Sequence, residues 1–320
     1  MILDATCAPA DIRYPNDLGI LNQAREQTER IIDKLYGQSK DKTDRKPRTY
    51  RNTARKEYLL VAKKRRVSKK QRKKAIKKQL QYIKRNLGII DRIACQVGLE
   101  VLSRGHYRLL LVVTEVNRQQ LDMYENNQNR IDDRIVSLTQ PHVRPIVRGK
   151  SGTPVEFGAK LSASCVNGYV FLDRISWNNF NESGDFKNQV EEFKKYRGVY
   201  PESVHADKIY RTKVNRAWCK ERGIRLSGVR LGRPPKTISK EIKKQARLDE
   251  AVRNCIEGKF GEAKRRFSLN RVMTKLANTS ETAIAISFLV MNLSALLRQF
   301  FVFFHIHFKL QYFLPVFMFS

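Results

Sequence analysis

What constrains this chain most is where its strand-forming residues fall. A short apolar run, Met1-Ile2-Leu3, opens the sequence, and the strand signal then gives way to a long stretch whose apolar residues recur at helical spacing. Leu18, Leu21, Ile31, Ile32 and Leu35 predict an amphipathic helix over 16–37. Leu80, Ile83, Leu87, Ile90, Ile93 and Val97 predict a second, and 107–126 reads as a third. Strand-like sequence resumes near Val143, and 155–161 and 169–172 are joined through Asn167-Gly168, a strong hairpin signal. A helix over 186–196, a strand over 203–207, a helix over 214–222 and a short strand at 224–226 follow. The order predicts an α/β domain, a mixed sheet with flanking helices, interrupted after its first strand by a large helical insertion. The expected divisions are 1–15 for the first strand, 16–140 for the insertion, 141–297 for the rest of the sheet domain, and 298–320 for an apolar tail.

Charge narrows the partners. Lys and Arg number 63 against 31 Asp and Glu, a net charge of +32, which points to a polyanion and first of all to nucleic acid. From Lys63 to Lys78 there is no acidic residue. Lys69, Lys70, Arg72, Lys73 and Lys74 in that block are expected to lie in solvent or on phosphate. The five cysteines are odd in number and contain no CxxC pair, which favours free thiols in a reducing compartment over a disulfide framework or a zinc site. No basic-then-apolar export signal precedes Asp4.

Three distant segments fit one chemistry. Asp4 and Asp207 each follow a short β-prone run, as carboxylates at strand ends would. Arg253, Glu257 and Lys264 sit at i, i+4 and i+11, within about 40° of one helix face. Two strand-end aspartates and one helical glutamate flanked by cations make a site for two divalent metals acting on a phosphodiester. Gly258 and Gly261 lie in the same helix at a cost of about 1 kcal/mol each relative to Ala, so close approach of another group to the backbone is expected there. Glu250 and Glu262 are the alternatives to Glu257, one helical register away. Asp11, Asp17 and Asp173 suit loops, caps and strand ends. Trp177, among polar residues, could stack on an unpaired base, although tryptophans more often belong to a core.

These residues resemble a family. Arg253, Glu257 and Lys264 are similar to the end of the Y-(2)-R-(3)-E-(6)-K signature of bacterial insertion-sequence transposases, which carry a DDE triad on an RNase H-like fold. Asp207-Lys208-Ile209-Tyr210 resembles the second-aspartate motif and Asp4-Ala5-Thr6 the first. The likeness extends to 8–15, 144–150 and 228–236, and so covers most of 1–297. The signature tyrosine would fall at position 250, which is Glu250 here.

The resemblance implies a transposase catalysing metal-dependent DNA cleavage and strand transfer during transposition of an insertion sequence. Asp4, Asp207 and Glu257 would hold two Mg²⁺ ions, with Mn²⁺ able to substitute. Arg253, Lys264, the five cations of the basic block, and Arg230 and Arg233 in the basic loop would contact DNA. It further implies transposon ends and a target duplex as partners, a homodimer on DNA, and a bacterial cytoplasmic, nucleoid-associated location. In the family a helical domain usually precedes the first catalytic strand, so a truncated or inactive copy is the expectation here. A metal-dependent nuclease of the same fold and a non-enzymatic basic DNA-binding protein are the rival readings. The tail at 300–319 is aromatic but interrupted by His305, His307, Lys309 and Pro315. Charges at a bilayer centre cost about 2.5–3.5 kcal/mol each, so no stable membrane partner is expected.

Overall fold

A computed structural model describes residues 1–38, 45–147, 155–228 and 239–313, the side chains of 306–313 excepted. The chain forms two compact units, Met1–Asp11 with Pro145–Ser320, and Ile12–Arg144. In the first, β1 (Ile2–Pro9), β2 (Arg144–Val147), β3 (Val155–Val166), β4 (Tyr169–Ser176), β5 (Ser203–Ala206) and β6 (Arg225–Leu226) make one six-stranded sheet. Its order is β2-β3-β1-β5-β6, with β4 also beside β3. β1 runs antiparallel to β3, from Ile2 opposite Cys165 to Pro9 opposite Gly158. On its other side β1 runs parallel to β5 over only two positions, Ile2 with His205 and Leu3 with Ala206. Asn167 (φ 52°) and Gly168 (φ 82°) close the β3–β4 hairpin in the left-handed pair that a two-residue turn of this hand requires.

Alternation along the strands sorts side chains to two faces. Ile2 and Ala8 of β1 join Ala159, Leu161, Ala163 and Cys165 of β3 beneath α7 (Lys240–Arg266) and α8 (Ala277–Phe313). Ile256, Phe260 and Ala263 of α7 and Ile284, Phe288 and Met291 of α8 complete that core. Each fully buried large side chain of this kind contributes about 1.5–3 kcal/mol. Leu3, Val204 and Ala206 point the other way, into a second core with Phe186 and Val190 of α5 (Phe186–Arg197) and Cys219 of α6 (Lys213–Glu221). Trp177, considered for base stacking, packs against the first core and donates its indole N–H to Glu281 at 2.8 Å. Trp218 lies edge-on to Phe186 and Tyr200.

The second unit is helical: α1 (Asp17–Gln38), α2 (Arg51–Ala62), α3 (Lys69–Val97) and α4 (Arg104–Glu125). Leu21, Ala24, Ile83, Val113 and Val116 form one of its cores, and Ile31, Ile32, Leu35, Ile90 and Ile93 another. Helix α3 starts eleven residues before the apolar spacing does. Ser68 caps it by accepting from Gln71 N at 3.2 Å, and the basic block then forms its opening turns. Helix α2 has no counterpart in the sequence pattern, because Ala54 is its one buried residue and no apolar stripe marks it.

Residues 298–313 continue α8 and are not a separate tail. Within it, Ala277–His305 is long and apolar enough to cross a membrane by length and composition alone, a test that core helices also pass. Ile284, Phe288, Met291 and Ala295 recur on one buried face of this helix.

Candidate functional site

β1 and β5 part company just after Leu3 and Ala206. The next residue on each strand, in the same register, is an aspartate: Asp4 and Asp207. Asp4 was expected at a strand end; it lies inside β1, and what ends there is the parallel pairing with β5. Alternation puts Asp4 on the face of Ile2 and Ala8, under α7. Asp207 follows β5 and caps a short 3-10 turn, Lys208–Tyr210, with its Oδ1 accepting from Lys208 N at 2.6 Å. Asp4 Oδ1 accepts from Ala5 N at 2.8 Å.

The third carboxylate comes from α7. Arg253 donates to Glu257 Oε1 at 2.8 Å and to Glu250 Oε1 at 2.6 Å. These two bonds, that from Glu250 first, hold its guanidinium more firmly charged than usual. Where the signature would have a tyrosine, Glu250 therefore serves as the second acceptor for Arg253. Glu262 instead pairs with Arg298 at 2.6 Å.

Asp4, Asp207, Glu257, Arg253 and Lys264 all line one cavity of about 720 Å³. Glu250 and Glu262 are not among its described lining residues. Burial chiefly, together with the nearby Glu182 and Glu257 carboxylates, pushes the Asp4 carboxyl up to about 6, against the Ala5 bond and Arg253. Asp207 is exposed and Glu257 keeps 53% of its side chain accessible, so their oxygens can be reached from solvent.

Two charged residues of the cavity lining went unread in the sequence, Glu182 and Lys160. Lys160 of β3 meets Glu182 at 2.9 Å and donates to Phe180 O at 2.7 Å, and its ammonium sits 4.8 Å from the Phe180 ring centre. The segment around 179–182 is thereby fastened across the cavity, bringing a fourth carboxylate towards Asp4. No local pattern marks Glu182; only the long-range bonds of Lys160 do.

The expected close approach at the glycines is not made by the protein. A Cβ on Gly258 would meet nothing within 4 Å, and one on Gly261 only the flexible Arg265 guanidinium at 3.3 Å. The decoys are engaged by other partners. Asp11 binds Arg271 at 2.5 Å and Lys275 at 3.1 Å, Asp17 opens α1 and accepts from Gln120 at 3.0 Å, and Asp173 accepts from Ser164 at 3.1 Å.

Of the remaining predicted DNA contacts, Lys69, Lys70, Arg72, Lys73 and Lys74 lie exposed at the start of α3, in the helical unit. Lys73 also donates to Asn127 Oδ1 at 2.9 Å. Arg230 and Arg233 lie outside the described residues.

In donor chemistry the cavity fits a divalent cation: carboxylate oxygens are the hard ligands such ions take, and their mutual repulsion is what an ion relieves. Among the described residues, no three His, Cys, Asp or Glu side chains converge closely enough to hold one as they stand. An ion there would draw the exposed Asp207 and Glu257 side chains from where they stand.

Residues 204–294 match a family model described as a transposase DDE domain. The matched segment contains β5 from Val204 on, Asp207, all of α7 and the first half of α8. No curated protein and no solved structure matches the chain.

Proposed function

We propose that this chain, a DDE-type transposase by its matched segment, cleaves DNA in a metal-dependent manner and transfers the cut strand to a target duplex. A transposase acts on DNA, and the enzyme class is that of transposases and nucleases. The observation that carries the finer reading is that carboxylates from β1, from the end of β5 and from α7 line one cavity with Arg253 and Lys264. The sheet order supports an RNase H-like reading of the unit: β4, β3 and β1 antiparallel, then β5 and β6 parallel.

Asp4, Asp207 and Glu257 would hold the metal, Mg²⁺ first with Mn²⁺ able to replace it. When bound, such ions supply Lewis acidity at a phosphoryl oxygen and activate water or a 3′-hydroxyl. The chain's own part is positioning. Asp4 is placed by its strand and the backbone of Asp207 by the turn after β5, while the exposed Asp207 and Glu257 carboxylates would adjust to the ion. Arg253 restrains Glu257 by a charge-assisted bond, the stronger kind. Lys264 supplies a cation for a DNA phosphate beside the carboxylates, and the α3 block and the basic loop would neutralise phosphates further away. A homodimer on DNA and a cytoplasmic, nucleoid-associated location complete the proposal.

Asp207→Asn and Glu257→Gln are each expected to abolish Mg²⁺-dependent cleavage while leaving duplex affinity nearly unchanged, because carboxylates hold metal and cations hold phosphate. Cleavage of labelled DNA and gel-shift binding, measured side by side, check this. Cleavage that survives in either variant with wild-type metal dependence would sink the assignment. Joining of pre-cleaved ends to a target duplex separates a transposase from a nuclease of the same fold.

A further inference from the structure

The helical unit contains a second cavity, of about 540 Å³, bounded by the end of α1, the segment leading into α2 and the second half of α3. Its walls carry Arg45, Arg48, Arg85 and Arg92 with Tyr36 and Tyr50. Arg85 and Arg92 are two turns apart on one face of α3, and Ile89 and Ile93, 4% and 7% exposed, form an apolar floor on that face. No carboxylate is among the described lining residues. Asp33 on α1 is already engaged by Arg51 at 3.0 Å and Lys46 at 2.8 Å. Guanidiniums are never neutral in proteins, so four of them around one cavity repel one another until an anion enters.

The aromatic part of the wall is specifically built. Tyr50 holds a left-handed backbone (φ 54°), a conformation that costs a non-glycine residue of order 1–3 kcal/mol. Its ring lies 4.6 Å from the Arg85 guanidinium. Inorganic phosphate would need the arginines but neither the tyrosines nor the isoleucine floor. A planar base needs a flat apolar or π surface, and its phosphates need the rim.

We propose that this cavity binds an unstacked nucleotide of a single DNA strand, its base against Tyr50, Ile89 and Ile93 and its flanking phosphates on Arg45, Arg48, Arg85 and Arg92. The assignment rests on the proposed action on DNA. It goes beyond that action by giving the helical unit a preference for unpaired strand, such as cleavage at a DNA end exposes. The site is separate from the basic opening turns of α3, none of whose cations is among its described lining residues.

The test uses the full chain with a short single-stranded oligodeoxynucleotide, a duplex of the same length, and deoxyadenosine monophosphate, each titrated by fluorescence anisotropy or competition. The double variant Arg48→Gln/Arg92→Gln, and separately Tyr50→Leu, should lower single-strand affinity about tenfold or more, while duplex affinity changes by less than about threefold. As a readout independent of variant folding, 5-iododeoxyuridine in the single strand should photocross-link to Tyr36 or Tyr50 of the unaltered protein. Equal losses on single strand and duplex, cross-links confined to other residues, or a monophosphate that binds as tightly as the strand would each overturn the assignment. If cleavage proves independent of Asp207 while these binding results hold, the proposed reaction fails and the pocket stands.

Discussion

At the scale of the residue, Asp173 gives a pH test away from the cavity lined by Asp4, Asp207 and Glu257. The residue as a whole is exposed, but its carboxyl is enclosed between β3, β4 and α5, where Oδ1 accepts from Ser164 and Oδ2 from Gln189 at 2.5 Å. Burial of the carboxyl first, with Asp185 and Glu192 nearby, pushes its pKa up to about 6 despite those two bonds. A carboxyl whose folded pKa lies above its unfolded value favours the fold when protonated. Its contribution is therefore fully present below the unfolded value, near 3.9, and is lost as pH rises through about 6. Asp173→Asn should remove that part of the pH dependence of Tm between pH 4 and 6 and should not lower Tm at pH 7. The buried Gln189 Oε1 has no hydrogen-bond partner, so a reversed Gln189 amide could accept from the asparagine N–H₂. A variant whose Tm against pH runs parallel to the wild type would show that Asp173 titrates normally. Asp173 also shows the limit of reading residues singly. It was expected to close the second strand of the hairpin, but β4 runs on to Ser176, and the setting of its carboxyl depends on Gln189, sixteen residues on. Asp4 and Asp207 could be picked out because a carboxylate after a β-prone run is a local pattern, although only Asp207 follows its strand and Asp4 lies within β1. Glu182 could not, since only the reach of Lys160 brings it to the cavity.

At the scale of the element, the same distinction separates α3 from α2. The second half of α3 could be read because its apolar residues bury at helical spacing; its first turns bury only Ala75 and carry charge almost throughout. Helix α2, with Ala54 alone buried, showed no period at all. Such a segment, without a side-chain N-cap, is helical because of its neighbours: Gln79 donates to Ala54 O and Tyr82 to Glu57, which composition does not reveal. The opening turns of α3 carry the proposed phosphate contacts. With Lys69, Lys70, Arg72, Lys73 and Lys74 exposed on a regular helix, the positive charges are held in a fixed array. Each phosphate such an array neutralises adds about −0.9 to the slope of log K against log salt. Replacing all five by glutamine should flatten the slope for duplex DNA by several contacts' worth and weaken binding alike on every sequence, because phosphate contacts carry no base information. Titrations at several salt concentrations measure this, and an unchanged slope would place the block in solvent. The hairpin stands at the other extreme: Asn167-Gly168 fixed β3 and β4 from two residues, because its positive φ values suit few others.

At the scale of the molecule, the sequence separated strand-forming from helix-forming stretches well enough to indicate an α/β unit interrupted by helices. What it left open is how independently the two parts are held. Each compact unit has its own apolar cores: β1, β3, α7 and α8 share one, while α1, α3 and α4 share another. Units built this way open separately when few of their stabilising contacts are shared. Ile83 is completely buried among Leu21, Ala24, Val113 and Val116. Ile83→Ala should therefore cost the helical unit about 2–5 kcal/mol, the lost transfer energy plus the cavity left behind. Hydrogen exchange followed by mass spectrometry is the measurement. Amides of α1, α3 and α4 should exchange faster in the variant, while those of β1, β3 and β5 should keep their wild-type protection. An equal loss of protection in β3, which contributes no residue to that core, would show that the two units unfold as one cooperative body.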